Sequence, residues 1–194
     1  MAEVVVLRHG ETGWSRSGQH TGRTDIALTE HGRAQARRLG QLLEGRTFAL
    51  VLTSPLSRAV QTCALAGYGD VAVVCEDLRE WDYGRYEGRT TAEIRTERPD
   101  WTIWTHSVPN GETAASVGER ADRVVAIARA AGGDVALFGH GHILRVLAAR
   151  WCGLTPTAGR IVGLDPATVS VLGYEHETSI IRRWNQADPV PGVS

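Results

Sequence analysis

Two histidines in this sequence each follow a short apolar run and precede a glycine. Arg8 and His9 come directly after the run at 4–7, and His140 comes after the run at 135–138. Neutral imidazole is nucleophilic near pH 7 and can attack phosphorus, and an adjacent guanidinium can hold phosphoryl oxygens through paired hydrogen bonds. The residue types therefore indicate phosphoryl chemistry, provided that the fold brings the two histidines together.

Two further segments carry charged groups suited to the same chemistry. Ser54 before Pro55 predicts a helix N-cap and a first helical residue, which places Arg58 in the first turn of that helix. There its guanidinium can join the free helix amides in attracting an anion. Glu80 stands among aromatic residues and glycines and is the candidate proton donor.

The elements that must position these residues alternate between strand and helix signals. Both histidine runs read as buried strands, and the carboxyl ends of neighbouring parallel strands are where open α/β sheets bind ligands. Further strands are predicted at 50–53, 71–75, 168–174 and 179–184. Helices are predicted from the N-cap Thr29 to Leu43, from the capping box at Thr90 to before Pro99, from Thr113 to Ala131, and from Ile143 to Trp151.

Composition indicates one soluble domain and excludes several classes of partner. The chain has 194 residues, of which 42% are hydrophobic, so a single core over about 4–184 is expected, with a loose tail at 186–194. A net charge of −1 argues against binding nucleic acid or an anionic membrane, although all 21 basic residues are arginine. No leader or membrane-spanning stretch is evident and the three cysteines are predicted core thiols, which together predict a cytoplasmic protein. Oligomeric state stays open, including a homo-oligomer.

The charged motifs together resemble the histidine phosphatase superfamily, which includes phosphoglycerate mutases. The resemblance runs from Val4 to about Trp184 with the motifs in the family's order. The segments at 14–22, 80–84 and 104–113 are similar to a branch that contains acid phosphatases and sedoheptulose bisphosphatases. The resemblance implies an α/β fold of the phosphoglycerate mutase type, a three-layer sandwich with a central, mostly parallel sheet flanked by helices.

We assign the catalytic roles from what a phosphomonoester requires. We predict that His9 attacks to form a phosphohistidine, that Arg8, Arg58 and His140 hold the phosphoryl oxygens, and that Glu80 protonates the departing alkoxide. Water then attacks the intermediate, and the ionised Glu80 accepts its proton. The scheme needs no metal or cofactor, because cationic side chains neutralise the phosphoryl group.

The resemblance also implies substrate contacts at five further positions. They are Ser15, Thr21, Gly22, Tyr83 and Gly141. Many relatives have asparagine where this chain has Ser15, and Tyr83 is equally well explained as a packed aromatic residue.

The remaining histidines and one aromatic segment have weaker assignments. The segment at 101–106 is expected either to roof the site or to pack on the sheet, and His106 at its end is a candidate substrate contact. His20, His31 and His176 are expected in turns or at the surface. His140 and His142 could be read as a metal pair, but no nearby carboxylate completes such a site.

Three functions are compatible with this pattern. The leading one is a phosphatase acting on a small phosphorylated metabolite of the sugar phosphate or bisphosphate class. A phosphoglycerate mutase is less favoured, because mutases of this family carry a longer insertion between the Glu80 and His140 motifs and a lysine where this chain has Thr91. A mutase also needs cationic contacts beyond the phosphate clamp, which the sequence is expected to lack. The third candidate, a non-catalytic phosphate-binding module, would not need the acid Glu80.

Overall fold

Hydrogen-bonded strands in the computed structural model form a single sheet in the order β3-β2-β4-β1-β5-β6. The structure describes residues 2–43 and 45–187. Within them the strands are β1 (Val4–Arg8), β2 (Leu50–Thr53), β3 (Ala72–Val74), β4 (Val135–Gly139), β5 (Val169–Glu175) and β6 (Thr178–Gln186). Strands β1 to β4 run parallel, whereas β5 pairs antiparallel with both β1 and β6. The predicted mostly parallel sheet is confirmed.

Helices cover both faces of this sheet. Within the same residues the α-helices are α1 (Gly13–Ser17), α2 (Glu30–Leu42), α3 (Ser57–Leu65), α4 (Thr91–Glu97), α5 (Ala114–Ala130) and α6 (Gly141–Trp151). The apolar residues of β1 alternate between two cores, because successive side chains of a strand point to opposite faces. Val4 and Val6 join the core that contains α5 and α6, while Val5 and Leu7 join the core that contains α2 and α3. The three-layer α/β architecture follows from this alternation.

Three predicted helix starts are confirmed by their hydrogen bonds. The Thr29 side chain accepts from the amide of Gly32, and Thr90 and Thr113 each form a capping box. These starts could be predicted because an N-cap is made by side chains only three residues apart.

The predicted N-cap at Ser54 is wrong. Helix α3 begins at Ser57, its N-cap is Leu56, and no side chain caps it. The Ser54 hydroxyl instead contacts His140, at 2.7 Å from Nε2. Arg58 still lies in the first turn of α3, as predicted.

Other expectations are corrected in part. Of the three predicted core thiols, only Cys63 is buried, and Cys75 and Cys152 are half-buried; all three are free. Gln186 belongs to β6 rather than to a loose tail, and the predicted tail at 188–194 lies outside the described residues. No helix among the described residues is both long enough and apolar enough to cross a membrane.

Candidate active site

The two strand-end histidines lie side by side. Strands β1 and β4 are adjacent and parallel, and their register pairs Arg8 with Gly139. The residues that follow, His9 and His140, therefore leave the sheet at the same edge, and their ring centroids are 5.1 Å apart. The convergence predicted from the two glycine-bracketed motifs is confirmed.

His9 presents a neutral ring with one free nitrogen. Its Nδ1 lies 2.7 Å from the carbonyl oxygen of Gly10, and since a carbonyl only accepts, Nδ1 carries the proton. Burial, reinforced by the charges of Arg8 and Arg58, lowers the pKa of His9 well below its ordinary value. The ring is thus uncharged near neutral pH, and Nε2 keeps its lone pair for attack.

The loop that holds His9 is pressed against helix α2. A Cβ at Gly10 would lie 2.3 Å from the carbonyl oxygen of Gly32, and a Cβ at Gly32 would lie 2.1 Å from that of Glu11. The amide of Gly10 donates to the Thr62 hydroxyl of α3 at 3.1 Å. Helix α2 therefore holds this loop through backbone contacts that only glycine permits at positions 10 and 32, and α3 holds it through a side-chain hydroxyl.

His140 is fully buried and is oriented on both ring nitrogens. Nδ1 accepts from Nε of Arg58 at 3.1 Å, so Nε2 carries the proton and donates to the Ser54 hydroxyl. Burial, followed by the charge of Arg58, lowers the pKa of His140 well below its ordinary value. His140 is therefore a second neutral imidazole beside His9.

Arg58 is completely buried, and protein acceptors surround its guanidinium. Nη1 donates to the carbonyl oxygen of Thr24 at 3.0 Å, and Nη2 donates to those of Thr21 and Gly22 at 3.1 and 3.0 Å. Together with the bond to His140, these contacts tie the loop at 21–24 to the histidine pair. Direct contact of Arg58 and His140 with phosphoryl oxygens stays a prediction.

Arg8 is a cation that lines the same cavity as His9. Its Nη1 donates to the carbonyl oxygen of Leu164, and its buried Nε has no hydrogen-bond partner. Within residues 2–43 and 45–187 no carboxylate oxygen forms an ion pair with it. A Cβ added to Gly141 would lie 3.4 Å from Cζ of Arg8, so the guanidinium packs against the first residue of α6. This unpaired positive charge at a helix N-terminus is suited to binding an anion.

Glu80 sits at the same helix N-terminus. Its Oε1 accepts from the amides of Trp81 and Ile143 at 2.8 and 2.9 Å, and its Oε2 accepts from the amide of His142 at 2.9 Å. Amides at the start of a helix have no partner within the helix and favour a negative group. Backbone amides therefore fix the carboxyl group in position, and no arginine among the described residues forms an ion pair with it.

A cavity of about 180 Å³ opens onto these groups. The predicted site residues that line it are Arg8, His9, Ser15, Thr21, Glu80, Tyr83 and Gly141. Arg58 and His140 lie buried behind His9. Gly22 lines a second cavity of about 320 Å³, which Glu80 also lines. The structure thus brings together most of the residues that the sequence selected.

The polar groups of three predicted contact residues are bonded within the protein. The Ser15 hydroxyl caps α1 by accepting from the amide of Thr12, and the Thr21 hydroxyl donates to the carbonyl oxygen of Gln19. The amide of Gly22 donates to Glu87 at 2.7 Å. Their contact with substrate stays a prediction.

Tyr83 is both a packed aromatic residue and part of the cavity wall. It is almost fully buried, and its hydroxyl lies 2.6 Å from Nδ1 of His142. Burial raises the pKa of Tyr83 and lowers that of His142, so both groups are neutral in this contact. The described residues contain no group of three or more histidine, cysteine or acidic side chains that could hold a metal ion.

The expectation for His20 is wrong. His20 lines the active-site cavity, stacks on Tyr83 with ring centroids 4.7 Å apart, and bonds through Nε2 to the Thr91 hydroxyl at 3.2 Å. Burial lowers its pKa to about 4. His20 lies between Ser15 and Thr21, two positions at which the resemblance implies substrate contacts. This position in the sequence was the signal that could have predicted His20 as a cavity residue.

Arg145 is a second cavity residue that the sequence reasoning missed. It lines the same cavity as Arg8 and His9. The signal available was its spacing, because Arg145 is four residues after Gly141 and residues four apart lie on the same face of a helix.

The aromatic segment at 101–106 packs behind the cavity. Trp101 is buried, and the ring of Trp104 lies 5.2 Å from that of His142 and 5.8 Å from that of Trp81. His106 is exposed and bonds to the neighbouring Thr105 at 3.0 Å, away from the cavity. The packing alternative is therefore correct for the tryptophans, and His106 is not a cavity residue.

Comparison with known proteins gives one family over nearly the whole chain. Residues 4–187 match the model of the histidine phosphatase superfamily, branch 1. An acid phosphatase of Mycobacterium tuberculosis is 44% identical over 177 residues, which cover 89% of this chain and 87% of that protein. The sedoheptulose 1,7-bisphosphatase of Saccharomyces cerevisiae is 39% identical over 183 residues, which cover 77% of this chain and 67% of that protein.

A solved structure shows the same fold. The structure of an open reading frame from Mycobacterium tuberculosis superposes with a TM-score of 0.91 at 41% identity, over 95% of this chain and 97% of that chain. The expected fold type is confirmed by this similarity.

Proposed function

This chain belongs to the histidine phosphatase superfamily, and on that premise we propose that it is a phosphatase that hydrolyses small phosphate monoesters through a phosphohistidine on His9. The observation that carries the proposal is the arrangement around one cavity of a neutral His9 with a free Nε2, the unpaired Arg8 and the carboxyl group of Glu80. These are the nucleophile, the cation and the acid that the reaction requires.

In the first step Nε2 of His9 attacks the phosphorus atom and the ester P–O bond breaks. Glu80 gives its proton to the departing oxygen, so the alcohol leaves neutral. Arg8, beside the N-terminus of α6, neutralises the phosphoryl oxygens. Arg58 and His140 are proposed to complete this clamp from behind His9.

In the second step water attacks phosphorus on the side that the alcohol has left. Glu80, now ionised, accepts a proton from that water, the P–N bond to His9 breaks, and inorganic phosphate is released. Because Glu80 ends the cycle protonated again, one carboxyl group serves both steps.

The names of the relatives support the substrate class. An acid phosphatase and a sugar bisphosphatase both remove phosphate from small esters, and we extend that class to this chain.

A rate optimum below neutral pH is part of the proposal, supported by the lowered pKa of His9. The free state of all three cysteines supports a cytoplasmic location.

One argument against mutase activity is corrected by the structure. The expected lack of a cation beyond the phosphate clamp is wrong, because Arg145 lines the cavity. A mutase would keep the product in the cavity and return the phosphoryl group to it, and Arg145 is a group that could hold a product acid.

A phosphate-release screen separates the two activities. Sugar phosphates, sugar bisphosphates and phosphoglycerates are incubated with the enzyme, with and without bisphosphoglycerate, and both phosphate and isomers are measured. We expect phosphate to appear in step with substrate loss and little isomer to form. Isomer formation many times faster than phosphate release would establish the mutase instead.

A further inference from the structure

Arg145 occupies a defined position relative to the reacting groups. It lies on α6 one helical turn beyond Gly141, the residue that packs against the Arg8 guanidinium. Four residues of α-helix advance by about 6 Å along the axis and return to the same face. Arg145 therefore stands on the cavity wall, one step farther from the phosphoryl site than Arg8.

The Arg145 side chain is held in place by neutral groups. Its Nε donates to the carbonyl oxygen of Gly159 at 3.1 Å, and its guanidinium carbon lies 4.6 Å from the centre of the Trp104 ring. Its Nη2 also donates to the carbonyl oxygen of Arg160 at 3.4 Å. A stacked guanidinium with two hydrogen bonds to carbonyl oxygens keeps its remaining N–H groups oriented. The side chain is thus pre-positioned rather than free to swing into solvent.

No carboxylate forms an ion pair with Arg145 in the part of the chain that the structure describes. Arg150, on the same helix, shows the contrast, because its guanidinium is paired with Asp122 through bonds of 2.7 and 2.9 Å. Burial lowers the pKa of Arg145, which reflects the cost of keeping a cation away from water. An unpaired, oriented and partly buried cation in a cavity calls for an anion that arrives with the ligand.

We propose that Arg145 is a specificity-determining residue that binds a second anionic group of the substrate, a phosphate or a carboxylate, while Arg8 binds the phosphoryl group that reacts. This inference rests on the proposed phosphatase function and narrows its substrates to phosphate esters that carry a second acid group. The second group takes no part in bond making or breaking. It orients the ester for attack by His9.

The test compares substrates that carry two acid groups with substrates that carry one. Wild type, Arg145→Gln, Arg145→Lys and the control Arg150→Gln are assayed with fructose 1,6-bisphosphate, 3-phosphoglycerate, fructose 6-phosphate and nitrophenyl phosphate. For Arg145→Gln we expect kcat/KM to fall about tenfold or more on a substrate with two acid groups, chiefly through KM, because a hydrogen bond to a charged group is lost. On fructose 6-phosphate and nitrophenyl phosphate, which carry one acid group each, kcat/KM should change by no more than about threefold.

The other variants and substrates make the result specific. Arg145→Lys should recover part of the loss, and Arg150→Gln should leave all four substrates within about threefold of wild type. A loss confined to the bisphosphate assigns the second group as phosphate, and a loss confined to phosphoglycerate assigns it as carboxylate. Equal losses on all four substrates would overturn the inference, since they would show a structural role for Arg145.

A binding measurement keeps the inference separate from the proposed function. Dissociation constants of inorganic phosphate and of fructose 1,6-bisphosphate are measured by calorimetry on His9→Ala and on the double variant His9→Ala/Arg145→Gln, because an enzyme with His9 would hydrolyse the bisphosphate during the titration. We expect only the bisphosphate to bind more weakly to the double variant, and equal binding of both ligands to the two proteins would reject the inference. Failure of wild type to hydrolyse any ester would reject the phosphatase function, whatever the binding result.

Discussion

Replacing Glu80 by glutamine tests the acid and base role and has a structural cost that can be worked out. The carboxylate accepts three backbone N–H groups, two on Oε1 and one on Oε2. A glutamine oxygen can take the place of Oε1, but its amino group would then face the amide of His142, donor against donor. One buried donor without a partner costs about 1–3 kcal/mol. For a chain of this size we expect Tm to fall by about 2–4 °C for each kcal/mol.

The effect on rate should depend on the leaving group. For Glu80→Gln we expect turnover of an alkyl phosphate to fall by about 10²–10⁴-fold, because the alkoxide then leaves without its proton. Nitrophenyl phosphate should lose far less in the first step, since nitrophenolate hardly needs a proton. Burst kinetics with nitrophenyl phosphate separate this step from hydrolysis of the intermediate, in which the base role of Glu80 would still be missing.

Glu87→Gln is the matched control. Glu87 also accepts two backbone amides, those of Gly22 and Thr24, but both bonds go to Oε1, so glutamine can keep them. The control should show no dependence on the leaving group. Equal first-step losses on alkyl and nitrophenyl phosphate in Glu80→Gln would remove Glu80 from the acid role.

Three further predictions address the nucleophile, the pH dependence and the loop around Arg58. Rapid quench with labelled substrate should trap an acid-labile, base-stable phosphoryl adduct that His9→Ala abolishes together with turnover; an adduct that persists in this variant would exclude His9. The pKa of His20 is lowered to about 4 in the folded state, so the contribution of its neutral form to stability is fully present above pH 6.5. As the pH falls from 6.5 towards 4, the free energy of unfolding decreases by about 1.4 kcal/mol per pH unit. Tm should therefore drop less steeply between pH 7 and 5 in His20→Gln than in wild type, and parallel curves would contradict the assignment. In Gly22→Ala the added Cβ would lie 2.5 Å from the carbonyl oxygen of Trp81, so we expect the loop to shift and kcat to fall on every substrate; unchanged kcat would show that the loop does not set the position of Arg58.

The sequence predicted best the features that depend on near neighbours or on strand order. The N-caps at Thr29 and Thr113 need only side chains within one turn, and the meeting of His9 with His140 follows once two parallel strands are adjacent. The role of Ser54 could not be predicted in this way. Its hydroxyl had a plausible local use at a helix start, but a histidine 86 residues away competes for it.

The two missed cavity residues show a second limit. His20 was expected in a turn or at the surface, yet it is half-buried against Tyr83 and Thr91, which lie far along the chain. Arg145 is one of 21 arginines, and its type alone could not separate it from Arg150 on the same helix. The spacing of four residues from Gly141 favours Arg145, and the packing then shows that Arg150 meets a carboxylate while Arg145 lines the cavity.

The contact between Gly10 and Gly32 has a consequence for protein engineering. Because each position excludes even a methyl group, the catalytic loop and helix α2 behave as one rigid part whose join is made of backbone. A transplant of the Arg-His-Gly loop into another scaffold would have to carry α2 with it, together with its angle to the sheet. For the same reason, libraries that vary the loop should leave both glycines unchanged and place their diversity at the rim of the cavity, where side chains rather than backbone set the fit.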